Sequence, residues 1–500
     1  VKSLPHAVVM FALAGAPIAA LAQSPTPAPA PAATPSPATT ASPTPASSAI
    51  PTLEPATSPL SLPYPAFGES VSGVVGTPSK QYPNVNLKQA IAIAVAQSPT
   101  LAAARADAAL AAIQVRLTEA AALPHIAGSA STARSRARTI STTTGTATTS
   151  TTTTVLTSNN LAVQLSQLIF DGFRTIYQIS AASASRIASA ETYRSQLQTL
   201  AFNVATAYYN VLTAERQTGA ALASLKNAQT QRDLVAAQAA AGTAARSDIS
   251  NADLQVAQAR LTVIKAQATA LTSLTTFATT LGLSPREIVQ PVDDVPADNP
   301  GAMTSLPVPT YDDALKRAYA MRPDWAAAQE QVVAAQRTVR AARAAHWPTI
   351  SGTASAGSSS TDLGGGTFQP TWSVGAQLSF PIYDGGTIAA TIQQAQAQQA
   401  VAEANQRSTQ LNIESAVKSA LVTLASAKSA LAAANQERAT ADVTLQATEA
   451  RYKAGVTTLP LLLQAQTGYT TALVDQVNAA YAVRQAEQQY LFAIGDNVQL

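Results

Sequence analysis

The 500-residue chain contains no cysteine. That excludes a disulfide scaffold and any cysteine-based metal site, and with them a lipid anchor on the mature amino terminus. Histidine is nearly absent as well: His6, His125 and His346 are all there is, too few for a histidine metal cluster. Charged residues make up 12% of the chain, about half the share in an ordinary soluble protein. The formal net charge is +3, which offers no basic surface for reading nucleic-acid phosphates. Aromatics stand at 5%. Past residue 22 no run of 18 consecutive apolar residues occurs, so a spanning helix is not expected. If this chain enters a membrane, it does so as a barrel.

What is present begins with a targeting signal. Lys2 precedes an apolar stretch over residues 7–22, and Ala20-Leu21-Ala22 gives the small-x-small cleavage pattern, so residues 1–22 are expected to be a secretory signal peptide. Residues 23–85 follow as a leader rich in Pro, Ala and Thr. Frequent proline blocks helix and sheet, which fits a disordered segment or a stiff polyproline spacer.

The rest of the chain is one unit written twice. Pro99 to Pro124 and Pro323 to Pro348 both span 25 residues. Further on, Gln164-Leu165-Ser166 matches Gln377-Leu378-Ser379, and Phe170-Asp171-Gly172 matches Tyr383-Asp384-Gly385. The offset of 213 residues then holds for Gly242 with Gly455 and for Gly282 with Gly495. The repeats are set at 86–282 and 311–495, with a connector at 283–310 and a short tail at 496–500. An ordinary chain of this length would hold about three domains; here the repeat fixes the architecture instead.

Each copy changes period in the same order. An Ala-rich helical stretch ends before Pro124 in one copy and before Pro348 in the other, as helices do before proline. Period two follows. Over 371–382, Trp372, Val374, Leu378, Phe380 and Ile382 alternate with small polar residues, as Leu161, Val163, Leu165 and Ile169 do in the first copy. Such strands suit a barrel between lipid and water, and equally a soluble sandwich. Weaker strands start at Ile126 and Ile350, and the Ser/Thr/Gly stretches 139–159 and 357–368 read as polar loops. Helical period then returns: Tyr193, Leu197, Leu200, Val204, Ala207 and Val211 in one copy, Ile413, Val417, Ala420 and Leu424 in the other. A helix over 174–240 would be about 100 Å long. Gly242 ends it, and a return helix is expected over 247–281 with Ser247 as N-cap. In the second copy Gly455 is the stop, and Thr458 with Pro460 starts the return.

Helix, strand pair, very long helix, glycine turn and return helix, carried by Ser98-Pro99-Thr100-Leu101, Leu168-Ile169-Phe170-Asp171-Gly172, Pro381-Ile382-Tyr383-Asp384-Gly385 and Arg451-Tyr452-Lys453-Ala454-Gly455, resembles the TolC-type outer-membrane efflux proteins. The resemblance implies a mainly α protein with a membrane β-barrel, in which three protomers of four strands close a 12-stranded barrel continued by an α-helical periplasmic tunnel. It implies a homotrimer in the outer membrane of a Gram-negative cell. It also implies a passive exit duct joined to a periplasmic adaptor protein and an inner-membrane pump, as in tripartite efflux or type I secretion. No cofactor, metal or enzymatic activity is implied. Gly242, Thr243, Ala244 and Ala245, with Gly455, Val456, Thr457 and Thr458, would be the hairpin tips that meet the adaptor. Asp248 and Tyr452 match a family pair that latches the closed entrance, although Asp248 would equally stabilise a helix N-terminus. The family's arginine partner is Thr457 here, and its acidic ring positions are Leu461 and Gln464, where an apolar gate or simple core packing are both open readings. The lone carboxylates Asp171 and Asp384 sit at strand-to-helix junctions, where Asp caps helices and Gly turns the chain, and Asp293-Asp294 lies in the connector with no histidine or cysteine nearby. A surface Ala-rich coiled-coil adhesin is the alternative; it would not need paired, alternating strands.

Overall fold

The computed structural model describes residues 81–143, 148–242, 245–293, 295, 306–360 and 367–496. The signal peptide and the leader up to residue 80 lie outside these residues. In chain order the elements are β1 (Gln81–Val85), α1 (Leu87–Gln97), α2 (Pro99–Ala120), β2 (His125–Thr143), β3 (Thr148–Phe170), α3 (Arg174–Ala240) and α4 (Arg246–Thr280). They continue with β4 (Ile288–Pro291), α5 (Tyr311–Met321), α6 (Pro323–Ala344), β5 (Thr349–Ser360), β6 (Gln369–Ser379), α7 (Thr387–Lys453) and α8 (Leu459–Ile494).

Local chemistry sets these boundaries. Asn86 caps α1 reciprocally with Gln89: the Gln89 N–H donates to Asn86 Oδ1 at 2.8 Å and the Asn86 N–H to Gln89 Oε1 at 3.0 Å. Prolines 99 and 323 open α2 and α6 in the first turn, where the missing N–H has no intrahelical partner anyway. The equal proline spacing in the two copies is therefore the length of one helix and its exit. α3 and α7 are each 67 residues long. Just before them, Asp171 accepts from the Thr175 N–H at 2.8 Å, and Asp384 from the Ile388 N–H at 2.6 Å and the Gly386 N–H at 3.0 Å. These bonds meet donors that the helix start leaves free, and they hold the Asp384 carboxyl below the usual carboxylate range.

Glycine explains the repeat's landmarks. Gly282 and Gly495 end α4 and α8 with φ of +79° and +81°. A Cβ on Gly282 would lie 2.6 Å from the Gln97 carbonyl oxygen, and one on Gly495 would lie 2.9 Å from the Met321 carbonyl carbon. Each copy thus seats the end of its return helix against the junction of its two short helices, where only glycine fits. Around these junctions lies the main core, with Tyr208, Phe277, Ile413, Leu424, Tyr481 and Ile494 buried. A smaller cluster of Val235, Ala252 and Leu459 joins the far ends of the two long hairpins.

The strands form a parallel pair, β1 with β4, and a four-stranded sheet in the order β2-β3-β5-β6. All neighbours in the larger sheet are antiparallel. The contact of β3 with β5 joins the two copies; β2 and β6 are the sheet edges.

Several sequence expectations change. The last five leader residues, Gln81–Val85, are strand β1, pairing with β4 of the connector; Val85 and Val289 are buried there, so the composition shift marks the leader's end too late. Within the stretch 139–159, residues 139–143 and 148–159 are strand rather than loop. Thr139 pairs with Thr152 and Thr143 with Thr148, because threonine is polar yet β-branched and favours strand. Likewise Gly357 to Ser359 pair within the sheet. Ser247 lies inside α4, whose N-cap is Ala245. β6 ends at Ser379, so Phe380 and Ile382 lie beyond it; Pro381 has no N–H to continue the ladder.

Candidate functional site

Directly opposed residues of neighbouring strands share a face, so the register sorts the sheet into two. One face carries Ile126 on β2, Leu161, Val163 and Leu165 on β3, Ile350 on β5, and Trp372, Val374 and Leu378 on β6. The other carries Ser131, Asn160, Gln164, Thr353, Ser355 and Ser373, with Ser355 and Ser373 hydroxyls 2.9 Å apart. Trp372, Val374 and Leu378 are all exposed, as are Phe380 and Ile382 past the strand end. These two join Phe173, Trp347 and Tyr383, also exposed, as an aromatic-rich group where the sheet meets the helices. One surface is thus apolar and bare, and the other is small and polar.

At the opposite end of the long helices stand the hairpin tips. Gly242 and Gly455 turn the chain with φ of +75° and +69°, and Val456 is exposed. Thr243 and Ala244 lie outside the described residues; Ala245, Thr457 and Thr458 lead into the return helices. The expected Tyr452–Asp248 bond is not formed. The Tyr452 hydroxyl donates instead to Gln238 Oε1 at 2.8 Å, tying α7 to α3. Asp248 takes the other role considered for it and accepts from the Ala245 N–H at 3.3 Å, at the N-terminus of α4. The Tyr452 phenol is pushed above its ordinary pKa by burial and then by the nearby Asp248 carboxylate. Of the leucine run, Leu459 and Leu462 are buried and Leu461 is exposed. Asp248 and Gln464 line one groove with Glu437 and Leu463, and Leu461 and Gln464 line the next. Replacing Tyr452 by Phe is expected to quicken amide exchange at the C-terminal end of α3 roughly fivefold, the worth of one ordinary hydrogen bond; unchanged exchange would show that the Gln238 bond contributes nothing.

A third constellation was not anticipated. Asp293 of the connector accepts from Arg216 Nε at 2.6 Å and from the Tyr481 hydroxyl at 2.7 Å, and its second oxygen accepts from the Val295 N–H at 2.9 Å. The Tyr208 hydroxyl donates to the Val292 carbonyl. Burial pushes the Tyr481 phenol far above its ordinary pKa, helped by the Asp293 carboxylate. Glu215 next door is raised by burial and by Asp293, against the pull of Arg216. Farther along the connector, Leu306 donates its N–H to Glu487 Oε1 at 2.7 Å, and its carbonyl accepts from Lys428. Both ends of the linking segment are bolted to the long helices. The partners come from positions 77 and 188 residues away from Asp293, a pairing no local spacing could disclose.

Among the described residues no helix is long and apolar enough to cross a membrane, and no group of three metal-binding side chains occurs. The chain is thus a mainly helical protomer with duplicated 67-residue helices and a four-stranded antiparallel sheet that is open at both edges. The chain matches the outer membrane efflux protein family over residues 90–283 and 314–496, and it belongs to that family. It is 28% identical over 343 residues to the outer membrane efflux protein BepC of Brucella suis biovar 1 (strain 1330), covering 68% of this chain and 72% of that protein. To the outer membrane protein TolC of Escherichia coli (strain K12) it is 27% identical over 341 residues, 65% of this chain and 66% of the other. The crystal structure of the Campylobacter jejuni CmeC outer membrane channel superposes with a TM-score of 0.71 at 19% identity, over 82% of this chain and 86% of that one; at that identity the likeness is one of fold. The protein is thus an efflux duct of the outer membrane, and the adhesin alternative falls away.

Proposed function

We propose that three copies close one 12-stranded barrel, β6 of each against β2 of the next, and that the long helices continue it as a periplasmic tunnel. The duct conducts passively. It receives cargo from an inner-membrane pump through an adaptor seated on the tips at Gly242 to Ala245 and Gly455 to Thr458. The apolar face, with Trp372, Val374 and Leu378, meets lipid; the serine-rich face lines the exit.

The observation that carries this reading is a mismatch between the copies. α6 packs against both α3 and α7, whereas α2 packs chiefly against α3. Leu117 of α2 is 61% exposed, but its counterpart Ala341 of α6 is 5% exposed. On the long helices, Val422 is 62% exposed where its counterpart Tyr209 is 4% exposed. Leu110 and Val401 are likewise bare where Ala334 and Ala188 are buried. A Cβ on Gly172 would lie 2.4 Å from Trp347 Cβ, while Gly385 has nothing within 4 Å. At each of these positions a surface that one copy buries within the chain is left uncovered at the second, equivalent place. A further copy of the chain covers it.

The same correspondence supplies a register for the seam. Within the chain Leu165 opposes Ala354 and Leu161 opposes Ser358; their counterparts set Leu378 opposite Ala130, and Val374 opposite Arg134, of the next copy. Since the chain has no native cysteine, Ala130→Cys with Leu378→Cys gives a clean test. Oxidation is expected to link copies into covalent dimers and trimers, because paired Cβ atoms sit within disulfide reach. Within one sheet β2 and β6 are separated by two strands and cannot link. No linkage, or equal linkage from a pair shifted by one residue, would overturn the arrangement.

A further inference from the structure

We propose that Arg134, Arg136 and Arg138 form a ladder on the outside of the barrel that binds the phosphate groups of lipid headgroups at its outer rim. The proposal rests on the barrel reading above. The three arginines oppose Thr157, Val155 and Thr153 of β3, so they share the face of Leu161, Val163 and Leu165. That face runs apolar through Ile126 and Ala130 and turns polar where the Thr132 hydroxyl donates to Asn159 Oδ1 at 2.7 Å. It becomes cationic at the next three outward positions.

Position follows from cost. An arginine on the lipid face at mid-bilayer costs about 2–4 kcal/mol, falling to about 0–1 near the interface. Three in succession therefore belong at the membrane surface, at the end of the sheet away from the helices. The seam register agrees: Asn159 opposes Ser360 within the chain, which sets Trp372 opposite Arg136 of the next copy, and tryptophan marks membrane interfaces.

Among the described residues the ladder has no ionic partner. All three side chains are exposed, no ion pair involving them occurs among the described residues, and residues 121–170 contain no Asp or Glu. Strand β6 of the preceding copy, residues 369–379, offers no carboxylate either. Alternate residues stand roughly 7 Å apart along a strand, so the three guanidinium groups cover roughly 14 Å of rim. Arginine's planar fork takes phosphate oxygens two at a time. The occupant is thus an anionic, phosphorylated headgroup held beside the apolar band, with its acyl chains against Leu161 and Val163.

The test uses the full chain in phosphatidylcholine nanodiscs doped with lipid A, with native mass spectrometry counting the lipid A retained. Arg134→Gln, Arg136→Gln and Arg138→Gln together are expected to weaken retention roughly a hundredfold, since each surface cation contributes about 1 kcal/mol. The corresponding triple lysine variant, which keeps the charge, is expected to retain most of it. Equal retention by the glutamine variant and the parent would overturn the proposal. So would a glutamine variant that falls apart into protomers still holding lipid A, which would assign the arginines to the seam. Single-channel conductance in plain phosphatidylcholine bilayers separates the two readings. A parent that never conducts overturns the barrel and the ladder together; a parent that conducts but holds lipid A no better than the glutamine variant overturns the ladder alone.

Discussion

Leu110→Glu combined with Leu117→Glu is expected to yield a protein that is fully helical by circular dichroism but monomeric by mass photometry in detergent. Neither leucine supports the protomer, because both are largely exposed. In the proposed ring both lie under α7 of the preceding copy, as Ala334 and Ala341 lie under α3 within the chain. Burying a leucine contributes about 1.5–3 kcal/mol, so each seam loses about 3–6 kcal/mol, and a ring has three seams. The glutamates add the cost of desolvating charge. A trimer formed in the parent's yield would show that α2 faces solvent in the assembly.

Asp293→Ala is expected to produce a large single-site loss of protomer stability. Removing the carboxylate leaves Arg216 with its 3.3 Å bond to the Val295 carbonyl but no anion, and takes an acceptor from Tyr481 and from the Val295 N–H. Breaking a buried ion pair costs about 3–5 kcal/mol. The Arg216 and Asp293 side chains keep 30% and 21% of their exposure, which brings the figure to about 2–4 kcal/mol. Thermal unfolding in detergent should begin roughly 5 °C lower. Tyr481→Phe removes one bond and should cost only about 1–1.5 kcal/mol. Its pH dependence is the sharper reading. The folded-state pKa of Tyr481 is raised, so its contribution is complete below the unfolded tyrosine pKa of about 10 and is lost as pH rises beyond it. The parent should therefore lose stability above about pH 10, and Tyr481→Phe should lose less over the same window. An Asp293→Ala protein melting with the parent would show that the connector is not anchored there.

The architecture was legible because it rests on periodic and punctuating residues. Prolines 99, 124, 323 and 348 bracket the short helices, and Gly242 and Gly455 end the long ones, so α3 runs from Arg174 to Ala240 as its pattern predicts. Trp372, Val374 and Leu378 show the strand and its apolar face by simple alternation. Where polarity and backbone preference part company, the reading fails: a run of threonines looks like a loop and folds as the outer half of a hairpin. Long-range polar pairing was illegible for another reason. Nothing in Tyr452 indicates Gln238 rather than Asp248, since both stand near the same tip, and the choice depends on how α3 and α7 lie against each other. The Asp293 anchor unites three segments far apart in sequence.

In the proposed trimer the unfilled turn at Gly385 and the bare outer face of α2 also govern how assembly must proceed. The two surfaces of the seam differ, so the association is heterologous: each protomer presents one donor side and one acceptor side. A pair of copies therefore ends as a single copy does, with one of each exposed. No intermediate is self-capped, and only curvature that brings the last acceptor round to the first donor ends growth. Stoichiometry is then set by the angle at which β6 leaves the sheet rather than by the strength of any contact. A substitution that flattens the sheet without weakening the seam would give open chains of protomers in place of rings.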